Sequence, residues 1–147
     1  TPTGLTSELQ TLLVLVNEVR SKGYDCGSAG QFAATKPSIA QSNLTAAAQK
    51  HSADLDATKT TKDMHVTPEG ALNYSAGMTF TERIDTEKYD WGMAGENVAF
   101  NYATSELVMK AWLASSGHCK NIMNPKFTEL GLGKAGAYWT QVFATPL

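Results

Sequence analysis

The sequence predicts an α+β layered domain, and three observations carry that prediction. Apolar residues recur at helical spacing in the N-terminal half, two segments near the C-terminus are rich in strand formers, and one more helical stripe lies before them. Helices first and strands last argue for layers packed on a shared core rather than for regular βαβ winding. With 147 residues, 42% of them hydrophobic, and no internal repeat, the chain fits one domain over residues 1–147. A chain of that size buries about 70% of its unfolded surface, enough for a single core.

Ser7-Glu8-Leu9-Gln10 has the form of a capping box, and Leu9, Leu12, Leu13, Val16 and Val19 follow on one face of a first helix that Gly23 ends. From Tyr24 to Ser42, Gly27, Gly30 and Pro37 break every period, which predicts a long surface loop carrying Cys26. Asn43 is placed to cap a second helix whose inner face is Leu44, Ala47, Ala48, His51 and Leu55. His51 on that face reads as a core histidine donating to a backbone carbonyl. His65 falls in an aperiodic stretch and is expected in a loop or short turn, and a short helix is expected from Thr79 to Thr86. Trp91 to Tyr102 reads as a loop entering a strand at Glu96-Asn97-Val98-Ala99-Phe100.

A fourth helix follows, with Glu106 in its first turn and Leu107, Val108, Ala111, Trp112 and Ser115 as its inner stripe. Gly117 is expected to end it, which would present His118 just past a helix C-terminus, where partial negative charge favours a cation. Leu130 to Ala135 alternates large and small residues, a strand with one face bare enough for another backbone to approach. Tyr138 to Phe143 is apolar on both faces and suits a central strand covered from two sides. Trp91, Trp112 and Trp139 read as core anchors with satisfied indole N–H groups.

Net charge of −2 and a pI near 5.9, with lysines scattered singly, leave no electrostatic footprint for nucleic acid. The longest apolar run, Leu12 to Val16, is far short of the roughly 20 residues a transmembrane helix needs. Thr1-Pro2-Thr3-Gly4 reads as the start of a mature chain after removal of a signal, or as an arbitrary boundary. Cys26 and Cys119 lie in no metal-binding or redox spacing, so a long-range disulfide is preferred over two free thiols.

Two imidazoles and a carboxylate form the candidate site: His65, Glu96 in Gly95-Glu96-Asn97-Val98, and His118 in Ser116-Gly117-His118-Cys119. Zinc takes imidazole nitrogen and carboxylate oxygen, and three protein ligands leave a fourth position for water or substrate. Intervals of 31 and 22 residues match no recurring ligand pattern, so spacing alone leaves surface histidines and a salt-bridged glutamate as the simpler reading. Glu69 and Glu82 read as solvated, and Arg83 is able to pair with one of them at the surface. A Cys119 nucleophile is removed by the disulfide, and a serine hydrolase lacks both the Gly-x-Ser-x-Gly turn and an orienting carboxylate.

Taken in order, Ala47-Ala48-Gln49-Lys50-His51-Ser52, His65, Gly95-Glu96-Asn97-Val98, Trp112, Gly117-His118, Asn121-Ile122-Met123, Gly131-Leu132-Gly133 and Tyr138-Trp139-Thr140-Gln141 give the chain its resemblance to the CAP (SCP-like) superfamily. That superfamily is named for its cysteine-rich secretory, antigen 5 and pathogenesis-related members, and the chain looks most like its compact bacterial extracellular branch. The resemblance implies a three-layer α-β-α sandwich with a small, mainly antiparallel central sheet. It also implies secretion and a cleft of two histidines and two acids that holds zinc or another divalent ion. His65 and His118 match the histidines and Glu96 matches one acid. Where many eukaryotic members carry the second acid, this chain has Ser115, which can hydrogen-bond a bound water but brings no charge.

The preferred functional reading is a secreted, monomeric binding module for a small apolar molecule, a cell-envelope component or another protein, with any metal ordering the site. The alternative is a zinc-dependent peptidase or esterase in which His65 and His118 bind the metal and Glu96 is ligand or general base. A third reading makes the cluster a structural tie between loop and strand. Sterol binding is not carried over, because Lys134 to Leu147 holds no counterpart of the cysteine-bearing loop that goes with it.

Overall fold

Helix α1 (Ser7–Lys22) opens the described part of the chain, residues 4–147 of a computed structural model, and buries Leu9, Leu12 and Val16 as the apolar spacing requires. The mature-start reading of Thr1 to Thr3 lies outside the described residues. The cap is one residue earlier than expected: the Thr6 hydroxyl accepts from the Leu9 amide at 3.3 Å. Gly23 ends the helix at φ 83°, a left-handed conformation that favours glycine.

The expected loop from Tyr24 to Ser42 holds more order than its glycines suggest. Strands β1 (Tyr24–Asp25) and β2 (Gln31–Phe32) pair antiparallel around a 3₁₀ turn at Gly27–Ala29, and β3 (Ile39–Ala40) joins the main sheet. Helix α2 (Ser42–Thr58) is capped by the Gln41 side chain, which accepts from the Leu44 amide, and not by Asn43, whose amide donates to the Glu87 carbonyl. All five residues expected on its inner face are buried. Helix α3 (Phe80–Thr86) carries a full capping box between Thr79 and Glu82.

Strand β4 (Trp91–Phe100) begins well before Glu96, because its first residues pair with the end of the last strand across a bulge at Trp91 to Met93. Helix α4 (Ser105–Leu113) is capped by Thr104 and buries Val108, Met109 and Trp112; Leu107 is 50% exposed and Ser115 lies beyond the helix. Gly117 does not end it. The chain turns at Ala114 and Ser115 into a further helix, α5 (Ser116–Met123), so His118 lies in the first turn of a helix rather than past the end of one. The partial charge there is positive and opposes protonation of the imidazole.

Strands β5 (Glu129–Ala135) and β6 (Tyr138–Pro146) complete a four-stranded sheet in the order β3-β5-β6-β4, antiparallel except for β3 beside β5. Strand β6 is central and buried from Tyr138 to Ala144. Leu130, Leu132, Trp139 and Phe143 pack with α1, α4 and α5 on one face, while Val142 and Ala144 pack with Leu44, Ala48 and Ile84 of α2 and α3 on the other. This is the α-β-α sandwich. The indole N–H groups of Trp112 and Trp139 donate to the Val98 and Tyr102 carbonyls, whereas Trp91 is half-buried and donates to Asp85.

Two long-range ties hold the α1 layer to α5. Cys26 and Cys119 form a disulfide closing 93 residues, and restriction of the unfolded chain by such a loop contributes about 2–4 kcal/mol. Arg20, fully buried on the stripe that Leu9, Leu12 and Val16 begin, donates from Nη1 to the Ile122 and Asn124 carbonyls and from Nε to the Lys36 carbonyl. It caps the C-terminus of α5, and burial pushes its pKa down from the usual guanidinium value.

Candidate functional site

The order of residues along β4 explains the Gly95-Glu96-Asn97 string, because successive side chains alternate between the two faces of the sheet. On the α5 side, a Cβ on Gly95 would press against the Phe127 ring and the Asn121 amide oxygen at 3.0–3.2 Å. Asn97, fully buried, donates to the His118 carbonyl at 3.1 Å and to the Gln141 side chain at 2.9 Å. Asn121 answers by donating to Asn97 Oδ1 at 2.9 Å and to the Glu96 carbonyl. This amide network fixes the first turn of α5, and hence His118, against the strand.

Glu96 faces the opposite layer. Its side chain is 1% exposed, with His65 Nδ1 3.0 Å from Oε1 and Arg83 Nη2 2.7 Å from Oε2. Both carboxylate oxygens therefore accept a hydrogen bond, and His65 leaves its Nε2 on the outer side of a ring that is 54% exposed. Arg83 is also 1% exposed and donates to the His65 and Met78 carbonyls and to Thr67 Oγ1, each at 3.0 Å. The expectation of a surface pair with Glu69 or Glu82 is corrected here: Glu82 is spent on the α3 cap, and Arg83 points inward to Glu96.

The structure brings His65 and Glu96 into contact and puts His118 with Ser115 on an open cleft of about 390 Å³ at the outer edge of β4. Val98, Phe100, Met64, Trp112 and Thr61 also line it. Asn101 donates to the Ala137 carbonyl, so the alternating backbone groups of Glu96, Val98 and Phe100 face away from β6; Asn121 takes the Glu96 carbonyl and Trp112 the Val98 carbonyl. Among the described residues, no hydrogen bond joins the His118 side chain to His65 or Glu96. Burial and then the nearby His65 imidazole hold the His118 pKa below its ordinary value.

His51 lies behind the site on α2, fully buried, with Nε2 2.6 Å from the Met64 carbonyl. It is the core histidine the sequence predicts, and burial outweighs the nearby Glu96 to hold its pKa down as well. Unfolded histidines take up protons below about pH 6.5, while the folded chain resists protonation of His51 and His118. Their contribution is therefore complete above that pH and is lost as pH falls toward the lowered folded values. The melting temperature is expected to drop between pH 7.5 and pH 5, and by less in His118→Gln; equal drops in the two proteins would refute the assignment.

Zinc held by three protein side chains does not fit this arrangement. Among the described residues, no three histidine, cysteine, aspartate or glutamate side chains lie close enough together to hold a metal ion. The carboxylate best placed to bind one already satisfies an imidazole and a buried guanidinium.

An α-β-α sandwich whose edge strand carries Gly-Glu-Asn beside a Gly-His helix start defines a CAP-type domain. The family model for the CAP, cysteine-rich secretory protein family matches residues 13–143, and the chain belongs to that family. A 52-residue stretch is 54% identical to the uncharacterized protein YkwD of Bacillus subtilis (strain 168), covering 34% of this chain and 20% of that protein. A 62-residue stretch is 39% identical to the uncharacterized membrane protein YlbC of the same strain, covering 42% of this chain and 18% of that protein. The matched stretches thus span about one-fifth of the length of these curated relatives.

Among solved structures, an extracellular protein containing an SCP domain from Bacillus anthracis (strain Ames) superposes with a TM-score of 0.75 at 26% identity, over 92% of this chain and 39% of that one. An outer surface protein from Borrelia burgdorferi superposes with a TM-score of 0.71 over 97% of this chain and 95% of that one; at 19% identity it shows the fold alone. No helix among the described residues is long and apolar enough to cross a membrane.

Proposed function

We propose that this domain is an extracellular, monomeric binding module whose β4-edge cleft takes up a small molecule with an apolar body and a polar end. The cleft carries the reading: its volume of about 390 Å³ lies in the range of small-ligand sites, most of the side chains that line it are apolar, and Thr61, Ser115 and His118 add a few polar groups. The extracellular description of the Bacillus anthracis structural neighbour supports the location. A cell-envelope component with such a group would fit the same cleft.

A zinc-dependent hydrolase needs Glu96 as ligand or base, and each oxygen of that buried carboxylate already accepts a hydrogen bond, from His65 or from Arg83, which favours the binding reading. The binding reading is tested by titration with an apolar naphthalene dye. Ala111 lines the cleft beside Trp112, so Ala111→Trp fills it and is expected to weaken dye binding at least tenfold. Unchanged dye affinity in a folded Ala111→Trp protein would reject the cleft as the binding site.

A further inference from the structure

We infer that Arg83 occupies the place of a metal ion in this site: a guanidinium carried by α3, and no divalent cation, neutralises Glu96, so the His65–Glu96–His118 region works without metal. A carboxylate buried this deeply needs a positive partner, or it would not stay charged inside the protein. Arg83 supplies one at 2.7 Å. Its planar fork is held on four acceptors, the Glu96 carboxylate, the Thr67 hydroxyl and the His65 and Met78 carbonyls, so it cannot swing away without stranding itself or them.

Charge balance leads to the same place. One carboxylate and one guanidinium sum to zero, so a divalent ion beside Glu96 would meet no net negative charge from the pair. Across the cleft, the polar groups near His118 are uncharged, Ser115 and Thr61. A cation approaching Glu96 would displace the His65 N–H from Oε1 or the guanidinium from Oε2, and in the first case it would still face the Arg83 charge at close range. His65 is fixed twice, through its carbonyl by Arg83 and through its ring by Glu96, so the ion pair orders the loop as a bound ion would.

The deciding experiment is a zinc chloride titration of the intact domain at pH 7.5, followed through the imidazole NMR signals of His65 and His118 and through the melting temperature with and without chelator. Neither signal nor melting temperature is expected to move at 100 μM zinc. Stoichiometric zinc binding that shifts His65 and is lost in Glu96→Gln would overturn the inference. Arg83→Gln, checked for folding by circular dichroism, is expected to gain at least tenfold in zinc affinity and to lose that gain when His65→Ala is added. A folded Arg83→Gln that binds zinc no better than wild type would also overturn it, and where this variant does not fold the wild-type titration decides alone.

Discussion

Glu96→Ala is expected to destabilise the domain by about 3–5 kcal/mol, and Arg83→Ala by a similar amount, because each leaves the other charge buried without its partner. After the first substitution, a guanidinium that is 1% exposed keeps only neutral oxygens, those of Thr67, Met78 and the His65 backbone. After the second, a carboxylate equally buried keeps only the His65 ring. For a chain of this length the loss is a fall in melting temperature on the order of 10 °C. The double variant should be markedly less unstable than the sum of the singles, since neither charge is left behind. Urea unfolding of the four proteins measures the coupling, and an additive cycle would show that the pair does not act as a unit.

How much of this was legible depended on whether a residue's role is local. The apolar stripes of α1, α2 and β6 are periodic, so their existence and buried faces follow from the sequence, as does His51 as a core histidine. Caps shifted by one or two residues because Thr6 and Ser7, and Gln41 and Asn43, each offer a side-chain oxygen near a helix start, and only the final geometry selects between them. Strand β3 was illegible: two residues pairing in parallel at a sheet edge have no period to display. Helix α5 was hidden because glycine is a poor helix former, by about 1 kcal/mol, while the burial of Cys119, Ile122 and Met123 and the bond to Cys26 outweigh that penalty.

The site was legible in its letters and not in its partners. His65, Glu96 and His118 stood out as residue types suited to chemistry, and the strand placed Glu96 correctly. Arg83 did not stand out, because a lone arginine on a short helix is ordinarily solvated and only tertiary structure brings it to Glu96. Arg20 left a better trace: it falls four residues after Val16, on a stripe that is otherwise apolar. A charge at a core position of a helix is the signal to follow there.

Gly131→Ala is expected to cost about 4 kcal/mol or more, because its Cβ would make the tightest contact of any glycine in this fold. A Cβ on Gly131 would overlap the backbone of Leu44 and Thr45, and one on Gly133 would overlap the backbone of Ala48 and Gln49. These are main-chain atoms of α2, held by the helix's own hydrogen bonds, so no side chain can rotate aside to make room. The alternation of Leu130 and Leu132 with these glycines lets β5 fill the α1 layer on one face while α2 lies directly on the other. Pushing α2 outward would also pull Leu44 and Ala48 from Val142 and Ala144, and loosen Ser52 from its 2.7 Å hydrogen bond with Thr140. Gly117→Ala is the matched control, because nothing lies within 4 Å of its Cβ and it sits in the first turn of α5. That change should leave stability unchanged or raise it by roughly 0.5–1 kcal/mol. Parallel urea unfolding of the two variants tests the claim, and comparable stability in both would mean that the bare face of β5 does not set the distance between sheet and helix.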